Sequence, residues 1–325
     1  MKIVVDAMGG DLGPSVIAEA VINFLNDHKD LEITVVGKKE ELSALEGRCE
    51  IIDARDVVPM EAGALEVMRM KDSSMYKAVN LVKQGGYDAV VSCGSTGGFL
   101  STATLVLKNV EGIHRAALIS PFPTKIKGKQ VVVLDIGASN ENSSEELYQF
   151  GLMGKLYAEN VLGVKDPNVY LLSNGVEEGK GSPEGKGAYK LFKERNFPGF
   201  KGNIEARYVL NGDADVVVTD GYTGNIFLKG LEGIAKMMSG MIKDAFKRNL
   251  WSKLGYLHVY KGMKEMKETM DYKSTGGAML LGINGVVVKA HGSSDAFSFY
   301  SALRVAYKLA SSDIVNKIKE GIACE

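Results

Sequence analysis

Five segments of this chain combine glycine with small polar or ionisable residues directly after apolar runs, and a sixth near the C-terminus repeats the arrangement. They are Asp6–Asp11, Ser92–Gly98, Asp135–Asn140, Asn174–Gly181, Asp220–Asn225 and His291–Asp295. Paired glycines such as Gly9 and Gly10 let backbone amides approach an anion with no Cβ in the way. Asp6 and Asp11 would either order such a loop or bind a substrate hydroxyl or ammonium. Gly94, Ser95, Thr96 and Gly97 precede a helical stretch, so they offer amides and hydroxyls to a phosphate. Asp220 and Thr223 stand in the same relation to the longest helical stretch, and Asn225 beside them is a candidate oxyanion donor or proton source. Lys180, flanked by Gly179 and Gly181, suits a phosphate or oxyanion contact, with a solvated loop charge as the alternative. His291 stands where a strand should end and is a candidate donor or proton source, a structural histidine being the alternative. Cys93 has no basic neighbour in sequence, so a thiol nucleophile finds little support. The spacings exclude a dinucleotide fingerprint, a P-loop and a serine-hydrolase elbow.

These loops need strands to carry them. Continuous β-branched runs at Ile3–Val5, Ile33–Val36, Ala89–Val91, Val131–Leu134, Val169–Leu172, Val216–Val218 and Val286–Val288 read as strands buried on both faces. Helix-period stretches lie between them: Ser15–Asn26, Phe99–Asn109, Ser144–Val161, Gly187–Arg195, Ile226–Leu250 and Asp295–Lys319. The alternation predicts an α/β fold with a mostly parallel sheet and a single unit spanning 1–325. In open parallel sheets ligands bind beyond the carboxyl ends of strands, so the glycine loops are expected to converge on one crevice.

Composition narrows the function classes. Glycine is high, 38 of 325 residues, yet prolines number 7 and no three-residue period exists, so the glycines act locally. A formal charge of −1 argues against a nucleic-acid coat. Three scattered cysteines suit a reducing cytosol, and four scattered histidines give no metal spacing, so no metal or cofactor is expected. Asp6 interrupts any signal-peptide core. Ala89–Leu107 is uncharged but too rich in Ser, Thr and Gly to span a bilayer.

The segment 232–268 differs from the rest. Leu231, Ile234, Ala235, Met238, Ile242, Ala245 and Phe246 form one helical stripe. Between Lys236 and Lys267 eight basic residues face two acidic ones, and Trp251 and Leu254 follow Lys247 and Arg248. Such a stretch either packs on a neighbour or dimer partner, or forms a protruding amphipathic hairpin that rests on an anionic membrane or acidic partner.

Six motifs in register then carry a resemblance: VDAMGGD at Val5–Asp11, SxGxTGG at Ser92–Gly98, LDxGA at Leu134–Ala138, GNIEAR at Gly202–Arg207, VVVTDGYTGNI at Val216–Ile226, and GGAxLLGxxG…AHGSSD from Gly276 to Asp295. The chain resembles the bacterial phosphate acyltransferases of phospholipid synthesis over nearly its whole length. Ser95 stands where that family usually has Asn, and Cys93 where it has Ala. The resemblance implies a three-layer α/β/α sandwich related to isocitrate and isopropylmalate dehydrogenases. It also implies a long-chain acyl group passed from acyl carrier protein to inorganic phosphate, without cofactor. A homodimer, peripheral attachment to the inner face of the cell membrane, and a downstream glycerol-3-phosphate acyltransferase are implied as well. The membrane and carrier contacts would fall on Trp251, Leu254, Lys247 and Arg248. The rival readings are an acetyl- or butyryl-CoA:phosphate transferase and a membrane-docked scaffold without catalysis.

Overall fold

The computed structural model describes residues 1–270 and 276–324; the expected unit of 1–325 also takes in 271–275 and 325, which lie outside the described residues. In chain order the strands are β1 (Lys2–Asp6), β2 (Glu32–Gly37), β3 (Glu50–Asp53), β4 (Ala89–Ser92), β5 (Ala117–Pro123), β6 (Gln130–Leu134), β7 (Val169–Ser173), β8 (Phe200–Glu205), β9 (Val216–Val218), β10 (Ala278–Leu281) and β11 (Val286–Lys289). The helices are α1 (Pro14–Asp27), α2 (Ala64–Arg69), α3 (Ser74–Gln84), α4 (Thr96–Leu107), α5 (Ser144–Tyr157), α6 (Pro183–Glu194), α7 (Gly221–Lys247), α8 (Leu250–Met270), α9 (Ala296–Ser311) and α10 (Ile314–Ala323).

The described strands form one sheet in the order β3-β2-β1-β4-β11-β10-β5-β6-β9-β7-β8. β10 runs antiparallel to β11 and β5, and β5 antiparallel to β6, while the other pairings are parallel. The continuous apolar runs are explained by burial on both faces. Ile3 and Val5 of β1 join a core with Phe24 of α1, Phe150 of α5 and Phe299 of α9. Val4, between them, joins a second core with Met75 of α3 and Phe99 of α4. Helices therefore cover both sides, the three-layer α/β/α arrangement.

Several elements depart from the sequence expectation. β3, β5, β8 and β10 were not foreseen. β5 holds Pro121 and Pro123, which lack the amide a central strand needs. Its pairing with β10 ends at Ile119, however, and beyond that point only β6 is bonded to it. The prolines thus sit where one side of the strand is open. The long C-terminal helix is two, because Asp313 adopts a left-handed φ of 54° between α9 and α10. The helix expected at 226–250 starts at Gly221, ends at Lys247 and is followed by α8, against which it packs through Phe246 and Tyr256, ring centroids 5.1 Å apart.

Candidate active site

The site begins with three neighbouring parallel strands that end level. Asp6 of β1 and Lys289 of β11 both register with Ser92 of β4. All three polar side chains are buried at the close of otherwise apolar strands. Ser92 Oγ donates to Asp6 Oδ2 at 2.7 Å, and the Gly94 amide donates to Ser92 Oγ at 3.0 Å. The Met8 amide donates to Asp6 Oδ1 at 3.3 Å. Asp6 therefore orders both glycine loops from beneath. Burial pushes its carboxyl above the usual range, against the hydrogen bonds of Ser74, Ser92 and Met8 and the charge of Lys289. Burial likewise pushes Lys289 down to about 8, with Cys93, Asp6 and Asp11 opposing. Cys93 is buried and its thiol is pushed up to about 12, so it carries little thiolate at neutral pH.

Gly9 and Gly10 are required for packing between loops. A Cβ on Gly9 would lie 2.3 Å from Gly94 Cα, and one on Gly10 2.8 Å from Cys93 Sγ. The Asp11 amide donates to the Gly292 carbonyl at 2.9 Å, tying the β1 loop to the β11 loop. At α4, Ser95 is buried and its Oγ accepts the Gly98 amide at 3.2 Å, so this side chain is committed to capping. The exposed Thr96 and Gly97 remain at the first turn, where amides have no intrahelical partner.

Asp135 organises the other half. Its Oδ1 accepts the amides of Leu118, Gly137 and Ala138 at 3.0, 3.0 and 2.8 Å; its Oδ2 accepts the Ser139 amide and hydroxyl at 2.9 and 2.7 Å. The N-terminus of α7 lies directly on this loop. Asp220 caps the helix by accepting the Thr223 amide at 2.8 Å. Gly221 and Gly224 make the approach possible: a Cβ would lie 2.1 Å from Ser139 O in the first case and 1.9 Å from Asp135 O in the second.

Because α7 enters here, the expected single crevice becomes two. One cleft, of about 440 Å³, is lined by Asp11, Thr96, Ser120, Pro121, Phe122, Asn225, Lys229, Lys289 and His291 among others. The other, of about 540 Å³, is lined by Ser173, Asn174, Gly181, Ser182, Asp220, Thr223 and Phe227 among others. Of the expected residues, Asp11, Thr96, Asn225 and His291 meet in the first cleft, while Asp220 and Thr223 line the second. Lys180 is exposed on the loop beside the second cleft and lines neither; its amide donates to Glu177 O at 3.0 Å. Lys289 was missed, although a lone charge closing the run Val286–Val288 is visible in the sequence. The β5 wall of Ser120–Pro123 was also missed, with its strand.

His291 Nδ1 accepts the Ser293 amide at 3.2 Å and lies 2.9 Å from Ser293 Oγ, which leaves the neutral ring's proton on Nε2. Enclosure by the cleft lowers its pKa below the usual histidine range; Glu232 opposes this, while Lys289 and Lys229 add to it. The cleft thus joins helix-terminal amides, hydroxyls, an amide side chain, an ammonium and a neutral imidazole. This equipment fits a polyanionic reactant and a developing oxyanion.

Away from the clefts, α7 and α8 enclose an apolar groove of about 560 Å³ lined by Ile242, Phe246, Tyr256, Met263 and Met266, with Lys243, Lys247 and Lys253 beside them. Trp251 is 81% exposed, and Leu250, Leu254 and Leu257 are exposed with it. Among the described residues no helix is long and apolar enough to cross a membrane.

The architecture recurs in a phosphotransacetylase from Streptococcus pyogenes, with a TM-score of 0.62 at 19% identity over 97% of this chain and 94% of that one. It recurs also in 4-hydroxythreonine-4-phosphate dehydrogenase from Klebsiella pneumoniae, with a TM-score of 0.53 at 13% identity over 95% of this chain and 98% of that one. The fold is therefore that of the phosphotransacetylase and dehydrogenase class. Residues 1–317 match the family described as "Fatty acid synthesis protein". A protein named phosphate acyltransferase from Staphylococcus saprophyticus is 40% identical over 326 residues, covering 100% of this chain and 99% of its own. The chain belongs to this bacterial phosphate acyltransferase family, and it is an enzyme of acyl transfer to phosphate.

Proposed function

We propose that the enzyme takes a long-chain fatty acyl group from acyl carrier protein and delivers it to inorganic phosphate for glycerolipid synthesis. A phosphate oxygen attacks the thioester carbonyl, the C–S bond breaks, and the proton carried by phosphate ends on the departing sulfur. The observation that carries this reading is the meeting of the α4 N-terminus, Asn225 and His291 in one cleft of a phosphate acyltransferase. Thr96 and Gly97 receive the phosphate. Asn225 and the Nε2–H of His291 face the developing oxyanion or the leaving sulfur, and Asp6 orders the loops beneath. Lys180 acts from the second cleft's rim, beside Asp220 and Thr223. Phosphate is itself the nucleophile, so positioning and charge stabilisation supply the catalysis.

His291→Ala should lower kcat by about a hundredfold, the usual size for one oxyanion donor or proton-transfer group. Near wild-type turnover in both His291→Ala and Lys180→Ala would overturn these roles. Because His291 titrates below the usual histidine range, the acid limb of kcat/KM should lie below about 6.5. Palmitoyl-acyl carrier protein should support phosphate-dependent thiol release and acetyl-CoA should not; the reverse preference would favour the short-chain CoA reading.

The same proposal treats 1–325 as a single domain acting as a homodimer and hands its product to a glycerol-3-phosphate acyltransferase. The α7–α8 hairpin is its contact with the inner face of the membrane and with the carrier protein. Exposed Trp251 and Leu254 beside Lys247 and Arg248 support that placement, since apolar insertion and anionic-headgroup attraction act together. Trp251→Glu with Leu254→Glu should reduce binding to anionic vesicles at least about tenfold, read by co-sedimentation. Unchanged binding would count against it.

A further inference from the structure

We propose that Lys289 is the cation that binds inorganic phosphate, holding it on the floor of the first cleft between the α4 N-terminus and Asn225. The proposal deepens the acyl-transfer reading and rests on phosphate being the acceptor. Lys289 closes β11 level with Asp6 and Ser92 and lines the cleft together with Thr96, Asn225 and His291. Its Nζ donates to the Ala290 carbonyl, which leaves further ammonium protons for a ligand. Lys229, the neighbouring cleft lysine, is already paired with Glu232 at 2.8 Å. Among the described residues Lys289 makes no such ion pair; the nearby carboxyl of Asp6 is occupied by Ser92 Oγ and the Met8 amide. A desolvated ammonium at the edge of a cleft is stabilised by an anion arriving there, and the acceptor of this family's reaction is an anion.

The placement also gives a pH signature. Asp6 and Asp11 from β1 and its loop, Cys93 after β4, Lys229 from α7, and His291 act on the ammonium, Glu232 of α7 lines the same cleft, and burial brings the titration of Lys289 to about 8. Phosphate keeps one charge state above that point, so its binding should weaken with rising pH because the lysine loses its proton.

Inorganic phosphate titrated calorimetrically into the full-length protein tests this without an acyl donor. Lys289→Met should weaken phosphate binding about thirtyfold, the size of a charge-assisted contact. The KM for phosphate should rise similarly, with the KM for the acylated carrier protein unchanged. Lys289→Arg keeps its charge at all these pH values, so any phosphate binding it retains should lack the alkaline loss near 8. Equal phosphate affinity in wild type and Lys289→Met, or an alkaline loss that persists in Lys289→Arg, overturns the proposal. Absent turnover of acyl carrier protein substrates with phosphate binding intact would strike the donor assignment and leave Lys289 standing.

Discussion

Gly224→Ala should destabilise the protein by about 3 kcal/mol or more and remove most of its phosphate-dependent activity. The added methyl group would lie 1.9 Å from the carbonyl oxygen of Asp135 and 2.9 Å from its carbonyl carbon. No rotamer relieves this, because both partners are backbone. Either α7 lifts off the loop or the loop moves, and the loop is fixed by the five hydrogen bonds to the Asp135 carboxylate. Displacing α7 also carries Asn225 away from its place beside Gly137. Urea unfolding midpoints measure the first effect and thiol release the second. Gly230→Ala, further along α7 with open space around it, is the control and should be neutral or slightly stabilising. A Gly224→Ala protein as stable as wild type would mean that α7 does not sit as described.

Lys289→Met should make the protein more stable at neutral pH while damaging phosphate binding. The folded-state value of about 8 lies below the ordinary 10.5, so between these values the unfolded chain holds more protons. Stability therefore rises with pH across that window, and below about 8 the full cost of burying the ammonium is present. The shift corresponds to about 3 kcal/mol, a net figure in which the opposing charges of Cys93, Asp6 and Asp11 are already included. Methionine removes the cost and keeps most of the volume. Melting temperature at pH 7 should rise by several degrees, and the advantage should shrink at pH 10 as the wild-type lysine becomes neutral. A variant less stable than wild type at both pH values would refute this account.

The part of the site visible in the sequence was the part governed by local rules. Val-Asp-Ala-Met-Gly-Gly after a β-branched run, or Ser-Thr-Gly-Gly before a helical stretch, announces a loop at a strand's end wherever the chain goes next. Asp220 and Asp295, each directly before a helical stretch, cap α7 and α9 under the same kind of local rule. Lys289 escaped because lysine is normally exposed, and only the register of three strands reveals that it is not. β5 escaped because Pro121 and Pro123 argue against a strand; that argument fails only where β10 stops pairing. The division into two clefts was beyond any local reading, since it depends on Gly221 and Gly224 meeting a loop more than 80 residues earlier.

α7 begins at the cleft and ends where the hairpin turns. A helix of 27 residues is a stiff rod of roughly 40 Å, so Asn225 and Trp251 lie near opposite ends of one lever. Whatever seats itself on the exposed tip is held at arm's length from the cleft, further than an extended sixteen-carbon tail can reach. Docking there would set the height and tilt of the cleft above a surface without plugging it. An acyl phosphate formed in the cleft of a protein docked in that way would have to cross the gap by leaving the enzyme or by travelling along the rod's apolar groove.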